Sequence, residues 1–317
     1  MTQPTNVFET YQSKSIREDL SDVIYNVTPD ETPLLSSLAQ VKASQTYHEW
    51  QVDSLRQSGN NFHLEGDNTA GDLVNPTIRE GNYSQIFKNA ATISGTDQSV
   101  TNAGKGKELA YQLIKTGSEQ KLDMEKAIMA NVARVAGATG TPRKLGGLGA
   151  WLKTNVTNIG GSGGANPTGS IGGATARTNG TQTVFNQTKF DTCMQSVWEN
   201  GGKPNMVILS AFQMSKALGF VGNNNQRSTG ASGKVENLLN VYVTPWGNVS
   251  FVPARENQSR DVWIIESNKL AIASLRPMKQ EALAKTGDSE TRQVVTECTL
   301  VVRNEKALGL VADCTTS

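Results

Sequence analysis

Histidine is almost missing from these 317 residues: only His48 and His63 occur, and the three cysteines, Cys193, Cys298 and Cys314, lie far apart. Catalytic zinc draws on about three His, Cys or carboxylate donors, so a zinc enzyme lacks its ligands here. An odd cysteine count without a CxxC pair argues against a disulfide framework and for free thiols in a reducing cytoplasm. Long apolar runs are absent as well. The longest, at residues 206–209, 262–265 and 270–275, are strand-sized and fall far below the ~20 residues that cross a bilayer. The opening residues, MTQPTN, hold neither the basic stretch nor the apolar run of a secretory signal. Charge of either sign is lacking in excess, with 30 Lys+Arg against 29 Asp+Glu, so no whole-chain field draws the protein to nucleic acid and sequence-specific DNA binding is not expected.

What remains is the composition of a folded, soluble chain, 37% hydrophobic and 19% charged with a mean hydropathy of -0.40, long enough for one large domain or two smaller ones. Motifs that could carry chemistry fail on inspection. Residues 160–164 satisfy GxSxG literally, but a nucleophile elbow needs a buried strand before it and a His after it, and both histidines lie upstream. Ser232-Gly233-Lys234 resembles a phosphate loop, yet position 228 is Ser instead of Gly and Val235 replaces the Ser or Thr that holds magnesium. Carboxylates such as Glu80 and the Asp123/Glu125 pair read as solvated surface. No catalytic residue, cofactor or metal site is expected. An ordinary soluble hydrolase, the reading from a different functional class, needs a convergent polar pocket that this residue inventory does not supply.

Periodicity gives the organisation. Two short helices are expected at residues 15–25 and 30–39, as an arm. From residue 46 the pattern turns to period two, with His48, Trp50 and Val52 on one face. It passes through a polar Gly/Asn-rich stretch at 58–75 and returns through Tyr83 and Phe87 towards Ile93, a hairpin with roughly fifteen to twenty residues per arm and a reach of about 50 to 65 Å. A two-stranded ribbon that long is marginal alone in water, so it needs another surface, taken here as a neighbouring subunit. Residues 104–137 contain no proline and predict one helix of about 50 Å, packing along Ala110, Leu113/Ile114, Gly117, Lys121, Met124, Ile128 and Val132, with Gly117 marking a close contact or a bend. A Gly-rich flexible loop at 160–183 follows. An α+β unit comes next, with helices at 188–200 and 210–220 and strands at 206–209, 241–243, 249–252 and 262–265. A β-hairpin at 276–285 and 290–303 closes the chain. Trp151, Trp198, Trp246 and Trp263 are expected in the core.

That order, with TPLL at 32–35, TYHEWQVD at 46–53, SGT at 94–96, ELAYQ at 108–112, DMEKA at 123–127, LGGL at 145–148 with Trp151, and AKTGDS at 284–289, resembles the tailed-phage major capsid proteins with the Hong Kong 97-like fold. The resemblance implies an α+β fold with an N-arm (1–44), an E-loop (45–93), a peripheral domain with its long spine helix (94–144), an axial domain (145–274) and return strands to the peripheral domain (275–317). It also implies assembly of the chain with itself as hexamers and pentamers into an icosahedral virion shell, built in the bacterial cytoplasm around double-stranded DNA that is packaged without sequence-specific binding. A portal, a decoration protein and, because the arm is too short for a fused scaffolding domain, a separate scaffolding protein are the implied partners; no membrane is involved. Relatives that crosslink use a Lys on the E-loop, but no Lys lies between Lys42 and Lys88, which implies no covalent crosslink from that loop. An encapsulin-like protein compartment is the alternative within the same fold. Candidate interface residues are Trp50, Phe62, Tyr83 and Phe87 as apolar contacts and Arg56, Arg79 and Glu80 as charged ones, because aromatic and Arg side chains concentrate interface energy. The competing reading is that these aromatics pack within the hairpin's own sheet.

Overall fold

The computed structural model describes residues 31–316 except 57, 69–70, 72–73, 102–106, 159–162, 170, 221–225, 229–234 and 238–240. The expected helix at 15–25, the serine of the GxSxG pattern and the SGK tripeptide lie outside the described residues. Helix α1 (Pro33–Ser37) opens with proline, whose missing N–H costs nothing in a first turn, and is followed by β1 (Ala39–Lys42). Next come β2 (Tyr47–Val52), β3 (Ile78–Tyr83), β4 (Gln85–Ser94), α2 (Gly95–Ser99) and α3 (Glu108–Met129). Then follow β5 (Val156–Thr157), α4 (Gln187–Glu199), β6 (Met206–Leu209), α5 (Ala211–Ala217), β7 (Gln226–Ser228), β8 (Val235–Asn237), β9 (Val241–Thr244), β10 (Gly247–Pro253), β11 (Val262–Ile265), β12 (Leu270–Ala282), β13 (Ser289–Val302) and β14 (Gly309–Val311).

Two sheets organise the body. The first is four-stranded in the order β1-β12-β13-β4, with α3 against β4; the second is six-stranded in the order β5-β14-β11-β6-β10-β9. The closing hairpin appears as expected, β12 and β13 pairing from Leu270↔Val302 to Ala282↔Arg292. One apolar cluster joins both sheets, taking Leu300 and Ile272 from the first, Ile208 and Trp263 from the second, and Met124, Ile128 and Trp151 from between. A second cluster, beneath α4 and α5, is aromatic: the Phe185, Phe190, Phe220, Tyr242 and Phe251 rings pack at centroid distances from 5.2 to 6.5 Å. These clusters remove from water the faces that period-two and period-3.6 patterning mark as apolar.

Several expectations change. The 45–93 stretch is not one long hairpin. Its ladder has six pairs, Tyr47↔Tyr83 to Val52↔Ile78, and β4 then leaves it to pair with β13 from Gln85↔Cys298 to Ser94↔Ser289. One continuous extended stretch, residues 78–94, therefore serves two different sheets. The long helix is shorter than expected, 22 described residues or roughly 33 Å, because Ala130 turns extended and residues 135–144 form a small hairpin through Val135↔Lys144 and Ala138↔Thr141. Gly137 and Gly140, with φ of 77° and 81°, make that turn possible. Its packing stripe is Leu109, Thr116, Gln120, Met124 and Ile128, so the period is right but the phase in the first half is off by one; Ile114 is 75% exposed and nothing crowds Gly117. The Gly-rich stretch is pinned where described. A Cβ at Gly172 would lie 2.3 Å from Trp151 Cε3, and Arg177, fully buried, donates to both carboxylate oxygens of Asp261 at 2.7 and 2.9 Å. Trp151 and Trp263 are buried and Trp246 is half-buried, but Trp198 is 55% exposed on α4. The carboxylates read as surface are also corrected: Glu80 and Glu125 are buried, and Glu125 accepts the Leu34 and Leu35 N–H groups at 2.9 and 2.7 Å, capping α1 from α3.

Candidate assembly surface

The β2–β3 ribbon stands on a root with several ties to the body. Asn82, fully buried, donates to Gly146 O at 3.1 Å and to Leu300 O at 2.9 Å, and its Oδ1 accepts from Gly146 N at 2.8 Å and Tyr83 N at 3.0 Å. Ser84 donates at 2.7 Å to Glu297, a buried carboxylate that Arg143 and Arg276 also reach at 2.6 and 2.9 Å. Two strands, the β3–β4 junction and the 135–144 hairpin thus meet at one charge, and charge-assisted bonds of this kind are the stronger ones. Arg134 lies over the Tyr47 ring, 5.4 Å from its centroid, and donates to Gly81 O. Gly81 must be glycine, since a Cβ there would sit 2.7 Å from Tyr47 Cζ and 2.9 Å from His48 O.

Beyond Val52 the chain leaves this support. Residues 53–77 contain no regular element among the described residues, and the side chains there are apolar but wet: Leu55 98%, Phe62 81%, Leu64 83% and Val74 86% exposed. Single exposed hydrophobes are ordinary, and here four share one projection. Sequence reasoning chose Phe62 but missed Leu55, Leu64 and Val74, because aliphatic residues in a polar stretch carry no periodic signal. It also missed Asn82 and Glu297, whose importance comes from burial and long-range partners.

The seven candidates separate by position. Phe62 and Arg56 belong to the exposed tip. Arg79 is exposed and pairs at 3.1 Å with Glu49 across the ladder, a contact worth about 0–1 kcal/mol at such exposure. Tyr83 is half-buried, its ring 4.6 Å from that of Tyr47. Trp50 packs on Trp151 with centroids 5.4 Å apart, and Phe87 is buried in the core, Gln120 donating to its carbonyl at 2.8 Å. Glu80 is buried at the ribbon's edge, where burial raises its pKa and Lys153 opposes the rise.

Chemistry of other kinds finds little material. Burial lowers the pKa of His48. It pushes all three cysteine thiols up to about 12. Among the described residues no group of three or more His, Cys, Asp or Glu is placed to hold a metal ion, and no helix is long and apolar enough to cross a membrane.

Comparison with known proteins bears on the chain as a whole. The profile of the family described as SU10 major capsid protein matches residues 3–315. The major capsid protein of Escherichia phage Phieco32 is 34% identical over 135 residues, a stretch covering 42% of this chain and 38% of that protein's length. Among solved structures, the cyanophage A-1(L) capsid asymmetric unit superposes with a TM-score of 0.69 at 13% identity, over 98% of this chain and 99% of that one. The capsid of a native GTA particle gives 0.66 at 11% identity, over 96% and 98%. Mycobacterium phage Adephagia gives 0.62 at 11% identity, over 98% and 99%. At these identities the likeness is one of fold, and it agrees with the mixed α+β, Hong Kong 97-like architecture expected above.

Proposed function

Because this chain belongs to the SU10 major capsid protein family, we propose that it is the shell-building subunit of a tailed phage, assembling with its own copies as hexamers and pentamers into an icosahedral capsid around double-stranded DNA. The observation that carries the reading is the contrast within the ribbon: a root fixed by Asn82 and Glu297, and a tip whose Leu55, Phe62, Leu64 and Val74 are left to water. A subunit that orders a root yet exposes that much apolar surface is completed by a neighbour.

In this reading residues 1–44 are the N-arm, 45–93 the E-loop, 94–144 the peripheral domain with its spine helix, 145–274 the axial domain and 275–317 the return strands. Phe62 and Arg56 make contacts between subunits, Arg79 sits at the rim, and Trp50, Tyr83, Glu80 and Phe87 hold the ribbon to its own body. DNA is enclosed without sequence readout, consistent with a net charge of +1. A separate scaffolding protein, a portal and a decoration protein are the further partners, the subunit acts structurally, and assembly takes place in the host cytoplasm.

Deletion of residues 58–75 tests this directly. Electron microscopy of the expressed protein should show shells from the full chain and none from the deletion, while the deleted subunit stays soluble and folded by circular dichroism. Intact shells from the deletion would refute the assembly role, and shells of the full chain holding cargo protein instead of DNA in infected cells would favour the compartment reading.

A further inference from the structure

One face of α3 is covered in its C-terminal half and bare in its N-terminal half. Glu125 accepts the Leu34 and Leu35 N–H groups, so α1 lies over that face there. Ile114 is on the same face about three turns earlier, roughly 17 Å along the axis, and is 75% exposed. Beside it a groove of about 520 Å³ lies between α2, α3 and the β12–β13 hairpin, walled on its apolar side by Leu109, Ala110, Leu113 and Ile114. Spaces of roughly 300–1,000 Å³ are the size that takes up large apolar groups.

The rim of this groove offers donors. Lys107 and Arg292 line it, and the one acid in the lining, Glu290, is already paired with Arg292 at 2.8 Å. Gln98 adds an amide Nε2 that is buried and has no hydrogen-bond partner among the described residues, a group that an incoming carboxylate or carbonyl would satisfy. An occupant that suits both sides is amphipathic, with an apolar stripe and acidic flanks.

The chain carries such a segment shortly before α1. Read as a helix, residues 15–25 put Ile16, Leu20, Val23 and Ile24 on one face, with Asp19 and Asp22 along one flank and Arg17 along the other. That spacing is the anchor pattern of a helix laid into a groove. With Glu18 the acids outnumber the single base, the sign complementary to Lys107. The connection is long enough: from Tyr25 to Leu34 an extended chain reaches about 30 Å, against the roughly 17 Å between Glu125, where Leu34 is held, and Ile114.

We propose that the groove between α2, the N-terminal half of α3 and the β12–β13 hairpin is the seat of the chain's own residues 15–25, docked as an amphipathic helix with its apolar face on Leu113 and Ile114 and its acidic flank towards Lys107 and Gln98. Ile114 then belongs to a contact within the subunit, and this inference stands or falls apart from the assembly reading.

The paired variant Leu20→Cys/Ile114→Cys tests it in the isolated full-length subunit. The native thiols are buried with pKa values of about 12 and stay silent, so any disulfide is the engineered one, and it requires the two Cα atoms within about 7 Å. The expected result under mild oxidant is a disulfide within one chain, at a rate independent of protein concentration and slowed about threefold or more by Lys107→Glu and by raised salt. Glu18→Cys, on the opposite face of the segment, should pair with Ile114→Cys at least about fivefold more slowly. The pair Val23→Cys/Ala110→Cys serves if the first misfolds. No disulfide in either pair, while each single cysteine is alkylated, overturns the docking. Equal rates for Leu20→Cys and Glu18→Cys would show a loose tail and overturn it as well. A bond formed only between chains, at a rate rising with concentration, makes a second copy the occupant and overturns the seat within the subunit, and a rate unchanged by Lys107→Glu and by salt overturns its electrostatic part.

Discussion

Replacing Asn82 with alanine isolates what holds the ribbon to the body. The side chain is fully buried and makes four hydrogen bonds, two as donor and two as acceptor. Some partners have alternatives: Gly146 O also accepts from Trp151 Nε1 at 3.1 Å. Gly146 N and Tyr83 N do not share that relief, and each buried donor left unpaired costs about 1–3 kcal/mol. Loss of the side-chain volume adds a small cavity term, so the expected destabilisation is about 3–5 kcal/mol, a large part of the ~5–15 kcal/mol that holds a typical domain together. Urea unfolding of the isolated subunit, followed by the fluorescence of buried Trp151 and Trp263, measures it as a lower midpoint at unchanged slope. Asn82→Asp keeps the acceptor but sets a carboxylate oxygen against Gly146 O and Leu300 O, and should be no better than alanine. A loss below about 1 kcal/mol for both variants would show that the root is held elsewhere and would refute the reasoning.

Mature particles should run as monomers in denaturing electrophoresis, since no Lys lies between Lys42 and Lys88; a ladder of oligomers would contradict this. Gly172→Ala should cost several kcal/mol in the same unfolding assay, because its Cβ would lie 2.3 Å from the immobile Trp151 ring, whereas Gly117→Ala, with open space around it, should stabilise by about 0.5–1 kcal/mol. Burial pushes Asp261 up to about 6, against an ordinary value of 3.8, so between these pH values the folded chain holds a proton that the unfolded chain has lost. Its contribution to stability is therefore present below about pH 4 and lost as pH rises through about 6; comparing urea midpoints of the protein and Asp261→Asn at pH 4.5 and 7 should show the difference between them shift in that direction.

Much of the fold is readable from pattern alone, and the failures have physical causes. Strands at 206–209 and 262–265 and the closing hairpin follow from alternation or from short apolar runs, and the α4 helix was placed within a residue of its ends. The sequence overstates the reach of the long helix because residues 130–137 contain no proline, yet β-branched Val135 and the turn at Gly137 and Gly140 suit the small hairpin better. Splitting one period-two stretch between the ribbon and the four-stranded sheet depends on Asn82 and Ser84 finding partners more than 60 and 200 residues away, which periodicity cannot encode. Trp198 shows the reverse error, a large aromatic assigned inward by type alone although its helix buries Phe190, Cys193, Met194 and Val197 on another face.

One apolar cluster serves both sheets, and this sets where the molecule can yield. Sliding one sheet past the other would tear open contacts around Trp151, Trp263 and Leu300, so the body behaves as a stiff tile. When many such tiles are set at differing angles on a curved surface, the mismatch has to be absorbed at their fringes, in the projecting tip and the far end of the closing hairpin, whose residues 276–288 are exposed.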